Sequence, residues 1–218
     1  MKKNILLGIL CLFSVSALQA QHLRIGVSAG LNVSNPSTSA TDGSRVGFNA
    51  GVRSEFGFSN VFKGVYLNAA TLLSLQPYKS AGYYDQDAKT SSQWKHNAYY
   101  LNIPVHIGYK FALGSNTSLF INAGPYVSCG LFGKGNLLEN KGNGPSKTTQ
   151  VSSNVFEDKI LERFDWGLGV QAGIDIIKHL QLAISYDWGL KNLYPTNDTS
   201  YKNQNFNVSC TYFFNLGR

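Results

Sequence analysis

Tyr99-Tyr100-Leu101-Asn102-Ile103-Pro104-Val105-His106-Ile107-Gly108-Tyr109-Lys110-Phe111 is a stretch in which every odd position is apolar or aromatic. The even positions, Tyr100, Asn102, Pro104, His106, Gly108 and Lys110, are mostly polar or small. A period of two that persists for about a dozen residues predicts a β-strand whose faces meet different surroundings. Ordinary strands run about five or six residues, whereas a tilted strand that crosses a bilayer needs roughly nine to eleven. The aromatic residues collect at the two ends, where headgroup layers would lie. The stretch reads as a membrane-crossing strand.

Seven further segments obey the same rule. Leu23 to Val33, Arg45 to Phe58 and Gly64 to Pro77 precede it. Ser118 to Phe132, Arg163 to Ile176, Leu180 to Leu190 and Phe206 to Leu216 follow. The connections alternate long and short, the longest being Gly133 to Leu161, rich in Gly, Asn, Ser, Thr and Lys. This pattern predicts an all-β fold, an eight-stranded antiparallel up-and-down transmembrane β-barrel with short periplasmic turns, long outer loops and periplasmic termini. Aromatics sort by the same orientation. Phe164, Trp166, Tyr186, Trp188 and Phe206 fall near the long-loop rim, and Phe56, Phe58, Tyr109, Phe111, Tyr212 and Phe214 near the short-turn rim.

The N-terminus carries Lys2-Lys3, a short apolar run from Ile5 to Val15, and small residues up to Ala20. Such a series reads as a secretory signal peptide over 1–20, leaving 21–218 as the barrel domain; cleavage after Ala17 is the alternative. About eleven apolar residues are too few for a membrane-spanning helix, and no later window holds a long enough apolar run. The formal charge of +7 includes the two lysines of the signal. A basic balance suits a solvated surface or an anionic lipopolysaccharide layer and identifies no nucleic-acid partner.

With the apolar face on lipid, the other face lines a lumen that side chains of an eight-stranded barrel just fill. The inward ionisable set is then Arg53, Glu55, His106, Lys110, Arg163, Asp165, Asp175, Asp187 and Lys191. Both signs are present, so the set is expected to pair into a salt-bridged plug, as buried charges require. Ser74, Ser128 or Ser185 with Asp187 would have to join His106 for nucleophilic catalysis, and no nucleophile motif supports that. His22, His96 and His179 lack metal-site spacing, and no cofactor is indicated. Cys129 and Cys210 are expected to be free and lipid-facing, separated by too many strands for a disulfide.

Several pieces resemble the PorT-like family of outer-membrane β-barrel proteins. They are Gly30-Leu31-Asn32-Val33-Ser34, Tyr100-Leu101-Asn102-Ile103-Pro104 with Tyr109-Lys110-Phe111, and Gly124-Pro125-Tyr126-Val127. Asp165-Trp166-Gly167-Leu168-Gly169, Tyr186-Asp187-Trp188-Gly189-Leu190 and the closing Tyr212-Phe213-Phe214 are similar too. The resemblance implies an eight-stranded barrel of a Gram-negative outer membrane, in a family named after a member associated with secretion, with no catalytic residues to transfer. The functional expectation is a non-enzymatic barrel whose loops, chiefly 133–161, contact lipopolysaccharide or an envelope or secretion partner. A secreted lipocalin-like barrel with its apolar face inward, and a lipid A-modifying enzyme, are the alternatives.

Overall fold

Alternating apolar and polar residues make a strand that can bury only one face, and here such strands close on one another. The computed structural model describes residues 23–37, 44–59, 62–80, 82–85, 90–141, 147–194 and 200–214. The signal-peptide reading of 1–20 falls outside them. The strands are β1 (Leu23–Ser34), β2 (Arg45–Gly57), β3 (Gly64–Lys79), β4 (Tyr83–Asp85), β5 (Thr90–Ala112), β6 (Ser118–Lys141), β7 (Lys147–Ser152), β8 (Phe164–Ile176), β9 (Leu180–Gly189) and β10 (Gln204–Phe213). Eight of them form a closed antiparallel ring, β1-β2-β3-β5-β6-β8-β9-β10 and back to β1. Closure leaves no free edge within the ring.

The apolar positions point out of the ring. Leu31, Val52, Ile107, Ile121, Leu168 and Ile184 are all exposed, while Ser28, Asn32, Asn68, Asn122, Gln171 and Thr211 are buried inside. This is the inverse of a soluble barrel, and it overturns the lipocalin-like alternative. Near the long-loop rim Phe132, Phe164, Trp166, Trp188 and Phe206 are exposed. Near the short-turn rim the exposed rings are Phe58, Tyr109, Phe111, Tyr212 and Phe214.

Where the sequence suggests loops, the structure continues the sheet. β5 and β6 run to 23 and 24 residues as one long hairpin. Beyond the rim β4 pairs with β5 at Tyr83–Ser92, and β7 pairs with β6 at Leu137–Thr149, giving a four-stranded paddle. Residues 90–98 alone add roughly 30 Å of strand beyond Tyr99 at the usual rise. The inner rim is tight by comparison. Ile177 and Lys178 reverse the chain between β8 and β9 with φ of 52° and 60°, left-handed values that strain a β-branched residue.

Candidate functional site

The lumen is the first candidate, and it is built in layers. Nearest the short turns, Arg24 of β1 stands directly opposite Glu55 of β2. Arg24 Nη2 lies 2.5 Å from Glu55 Oε2 and 3.0 Å from Asp175 Oδ1. Lys110 Nζ lies 2.6 Å from Glu55 Oε2 and 2.8 Å from Asp175 Oδ2. Gln181 Nε2 donates to both carboxylates, at 2.8 and 3.0 Å, and Ser118 Oγ donates to Asp175 at 2.9 Å. Aromatic faces cover the cations: Phe213 lies 4.1 Å from the Arg24 guanidinium and Tyr66 4.7 Å from Lys110 Nζ. Two anions and two cations, buried and interleaved with hydrogen bonds, meet the conditions under which charges survive burial.

Above this layer Gln171 Oε1 accepts from Arg53 at 3.0 Å, Asn122 at 3.1 Å and Asn68 at 3.3 Å. His106 Nδ1 donates to Asn122 Oδ1 at 2.8 Å, and Asn122 Nδ2 in turn donates to the Tyr66 hydroxyl at 2.7 Å. Glycines on the inner face make room for these side chains. A Cβ at Gly169 would sit 2.7 Å from Asp187 Oδ1 and 3.0 Å from His106 Nε2.

A cavity of about 30 Å³ remains, lined by Arg53, His106, Asp187, Ser74, Ser185 and Pro104 among others. That is room for about two waters. It adjoins a gap in the β3–β5 ladder, which skips from Ala69–Val105 to Leu72–Asn102 where Pro104 has no N–H to give.

Nearer the outer rim Asp187 accepts from Asn207 at 3.1 Å, and Asp165 accepts from Asn203 at 2.9 Å and from the Tyr126 hydroxyl at 3.4 Å. Two members of the sequence-derived set lie elsewhere. Arg163 and Lys191 sit just outside the ends of β8 and β9, so they leave the lumen and pair across the rim with Glu157 at 3.5 Å and Glu162 at 2.6 Å. Arg24 was absent from that set and belongs at its centre; its even position at the short-turn end of β1, level with Glu55, is the signal that marks it.

The outer mouth is closed by a second feature. Val155, Phe156 and Leu161, from the segment between β7 and β8, bury themselves with Tyr78, Ala98, Tyr100, Leu193 and Tyr201. Gly130 permits this, because the Phe156 ring occupies the place of its missing Cβ. His96 lies in the cap above the aromatic rim, 3.3 Å from the Tyr201 hydroxyl and 4.9 Å from the Tyr78 ring centroid. Burial, and then the nearby Arg45 charge, push its pKa down to about 3, so the ring is neutral. Burial likewise pushes the Tyr201 hydroxyl well above its ordinary value. Cys129 and Cys210 are free and exposed on the outer wall.

A closed ring with an apolar exterior, aromatic rims and a polar filled interior defines an integral membrane β-barrel. The model of the outer membrane protein beta-barrel domain family matches residues 19–194. The chain belongs to that family and is an integral protein of the outer membrane. No curated protein matches it.

Among solved structures, the attachment invasion locus protein Ail of Yersinia pestis is 17% identical, with 88% of this chain and 99% of that one covered and a TM-score of 0.39. Neisserial surface protein A is 14% identical over 88% and 97% of the chains with a TM-score of 0.38. OprG from Pseudomonas aeruginosa is 9% identical over 88% and 96% with a TM-score of 0.45. Similarity at this level carries no functional inference.

Proposed function

We propose that this is a non-enzymatic outer-membrane barrel that presents its outer segments, chiefly 133–161, to lipopolysaccharide or to an envelope or secretion protein. The observation that carries the reading is the division of the molecule. Its lumen is packed from the Arg24–Lys110 layer to the Phe156 cap, while β5 and β6 extend far beyond the aromatic rim as an ordered paddle. A rigid scaffold that spends its length on outer structure is where binding belongs. The PorT-like resemblance favours a role in secretion or envelope assembly, with the termini on the periplasmic side.

Against enzymatic use stands the space around His106. A cavity of about 30 Å³ inside the wall admits no lipid, and Ser128 donates to Asn102 at 3.0 Å rather than serving the imidazole. The test is gentle detergent extraction of outer membranes carrying a tagged copy, followed by identification of what co-purifies. The paddle variant joins Leu137 directly to Gln150, which leaves the Val155–Leu161 cap in place. A stoichiometric protein lost from the variant supports the partner reading. A protein set unchanged by the deletion counts against the paddle as its contact.

A further inference from the structure

Among the described residues, the outer rim is electrically lopsided. On the β8–β9 side its cations are matched, Arg163 with Glu157 and Lys191 with Glu162. On the β2–β6 side they accumulate. Asn97 of β5 stands directly opposite Lys134 of β6, and Lys95 follows two residues further out along β5. Arg45, the first residue of β2, reaches across to the same place, its Nη1 3.2 Å from Asn97 Oδ1 and 3.3 Å from the Tyr78 carbonyl. Among the described residues, Lys95 and Lys134 make no salt bridge. Two ammonium groups without a carboxylate partner and a guanidinium, gathered on adjoining strands, raise the local positive potential and attract an anion.

Its height decides what that anion is. Phe48, Tyr99 and Phe132 form a contiguous aromatic run on the outer wall, with ring centroids 6.4 and 4.6 Å apart. Asn97 and Lys134 are each one strand repeat above it on the same face, about 7 Å higher, and Lys95 one repeat higher again. Aromatic rings of this kind sit at headgroup level. The next layer up is that of the phosphate groups of the outer leaflet.

We propose that Arg45, Lys95 and Lys134 form a binding site for the phosphate of a phosphorylated outer-leaflet glycolipid held against the β2–β6 wall. The guanidinium and two ammonium groups supply charge-assisted donors to phosphate oxygens, while the acyl chains lie on the exposed Val46, Phe48 and Leu73 surface. The inference rests on the reading that the outer segments meet lipopolysaccharide, and it places the contact at the base of the β5–β6 extension, below the 138–149 tip that the paddle variant removes.

The full chain is purified from outer membranes in mild detergent, and bisphosphorylated lipid A retained per barrel is measured for the natural protein, K95Q/K134Q and K95R/K134R. Two charges at an anionic surface, each worth about a factor of five, predict a loss on the order of thirtyfold in K95Q/K134Q. K95R/K134R should retain the lipid. Fully dephosphorylated lipid A should not be retained by the natural protein, and inorganic phosphate alone should not displace the phosphorylated form at equal concentration. Equal retention by K95Q/K134Q, or equal retention of dephosphorylated lipid, overturns the site. Displacement by inorganic phosphate would make it a free-anion site and also overturns it. If K95Q/K134Q fails to show the boiled-versus-unboiled shift of a folded barrel, salt decides: retention by the natural protein that does not fall with rising sodium chloride rejects the proposal. The paddle deletion keeps these lysines, so a partner lost there with lipid retained here separates the two readings.

Discussion

Glu55 and Asp175 lie on β2 and β8, strands diametrically opposite in the eight-membered ring, and yet they share the same two cations, Arg24 and Lys110. The bridge therefore ties the two sides of the barrel together through its axis. Lys110→Met removes one cation and leaves two buried carboxylates to share one guanidinium. Breaking a buried pair by removing one partner costs about 3–5 kcal/mol. The unboiled form should then unfold at a markedly lower temperature on gel mobility, and Glu55→Gln in the same chain should restore much of the loss. An unchanged midpoint for Lys110→Met would show that the network adds nothing to rigidity.

The ring and its inside-out polarity were legible because period two survives at every strand, and Tyr99 to Phe111 carries it most plainly. The charge layer was legible in part. Inward parity identifies Glu55, Lys110 and Asp175, but parity cannot say where a strand ends. Arg163 and Lys191 obey the alternation and still escape the lumen, since β8 starts at Phe164 and β9 stops at Gly189. The cap was hidden for a different reason. Val155, Phe156, Ile160 and Leu161 have no strand period and stand in a polar connection, so only their concentration in an otherwise polar stretch distinguishes them.

That cap makes its own prediction. Gly130→Val would place a branched side chain where the Phe156 ring now packs, and an overpacked site costs about 1–3 kcal/mol. The ring would be expelled, taking the 155–161 segment with it. Limited proteolysis of intact cells should cut the variant within that segment faster than the natural protein, while the boiled-versus-unboiled shift stays. Equal cleavage would mean that the segment is held by something other than Phe156.

The cysteines test the outward face. Cys129 and Cys210 are both exposed and free, on strands whose exposed neighbours are apolar. In membranes both should react with a lipid-soluble maleimide and resist a charged, water-soluble one, and the protein should migrate identically with and without reductant. Rapid labelling of Cys210 by the charged reagent in intact membranes would contradict the placement of that wall in lipid.

His96 gives the cap a pH dependence whose sign follows from its depressed pKa. The buried ring stays neutral down to about pH 3, whereas in an opened cap it would titrate near its ordinary value of about 6.5. Above about pH 6.5 both states hold a neutral ring, and the cap's stability does not depend on this group. As pH falls from about 6.5 toward 3 only the opened state gains a proton, so closure weakens by up to about 1.4 kcal/mol per unit. Between pH 7.5 and 5 the opened population should rise by roughly thirtyfold. Hydrogen exchange of the 155–161 amides, corrected for the intrinsic effect of pH, should report this increase, and His96→Gln should abolish the pH slope. A slope that survives His96→Gln would show that the imidazole is not its source.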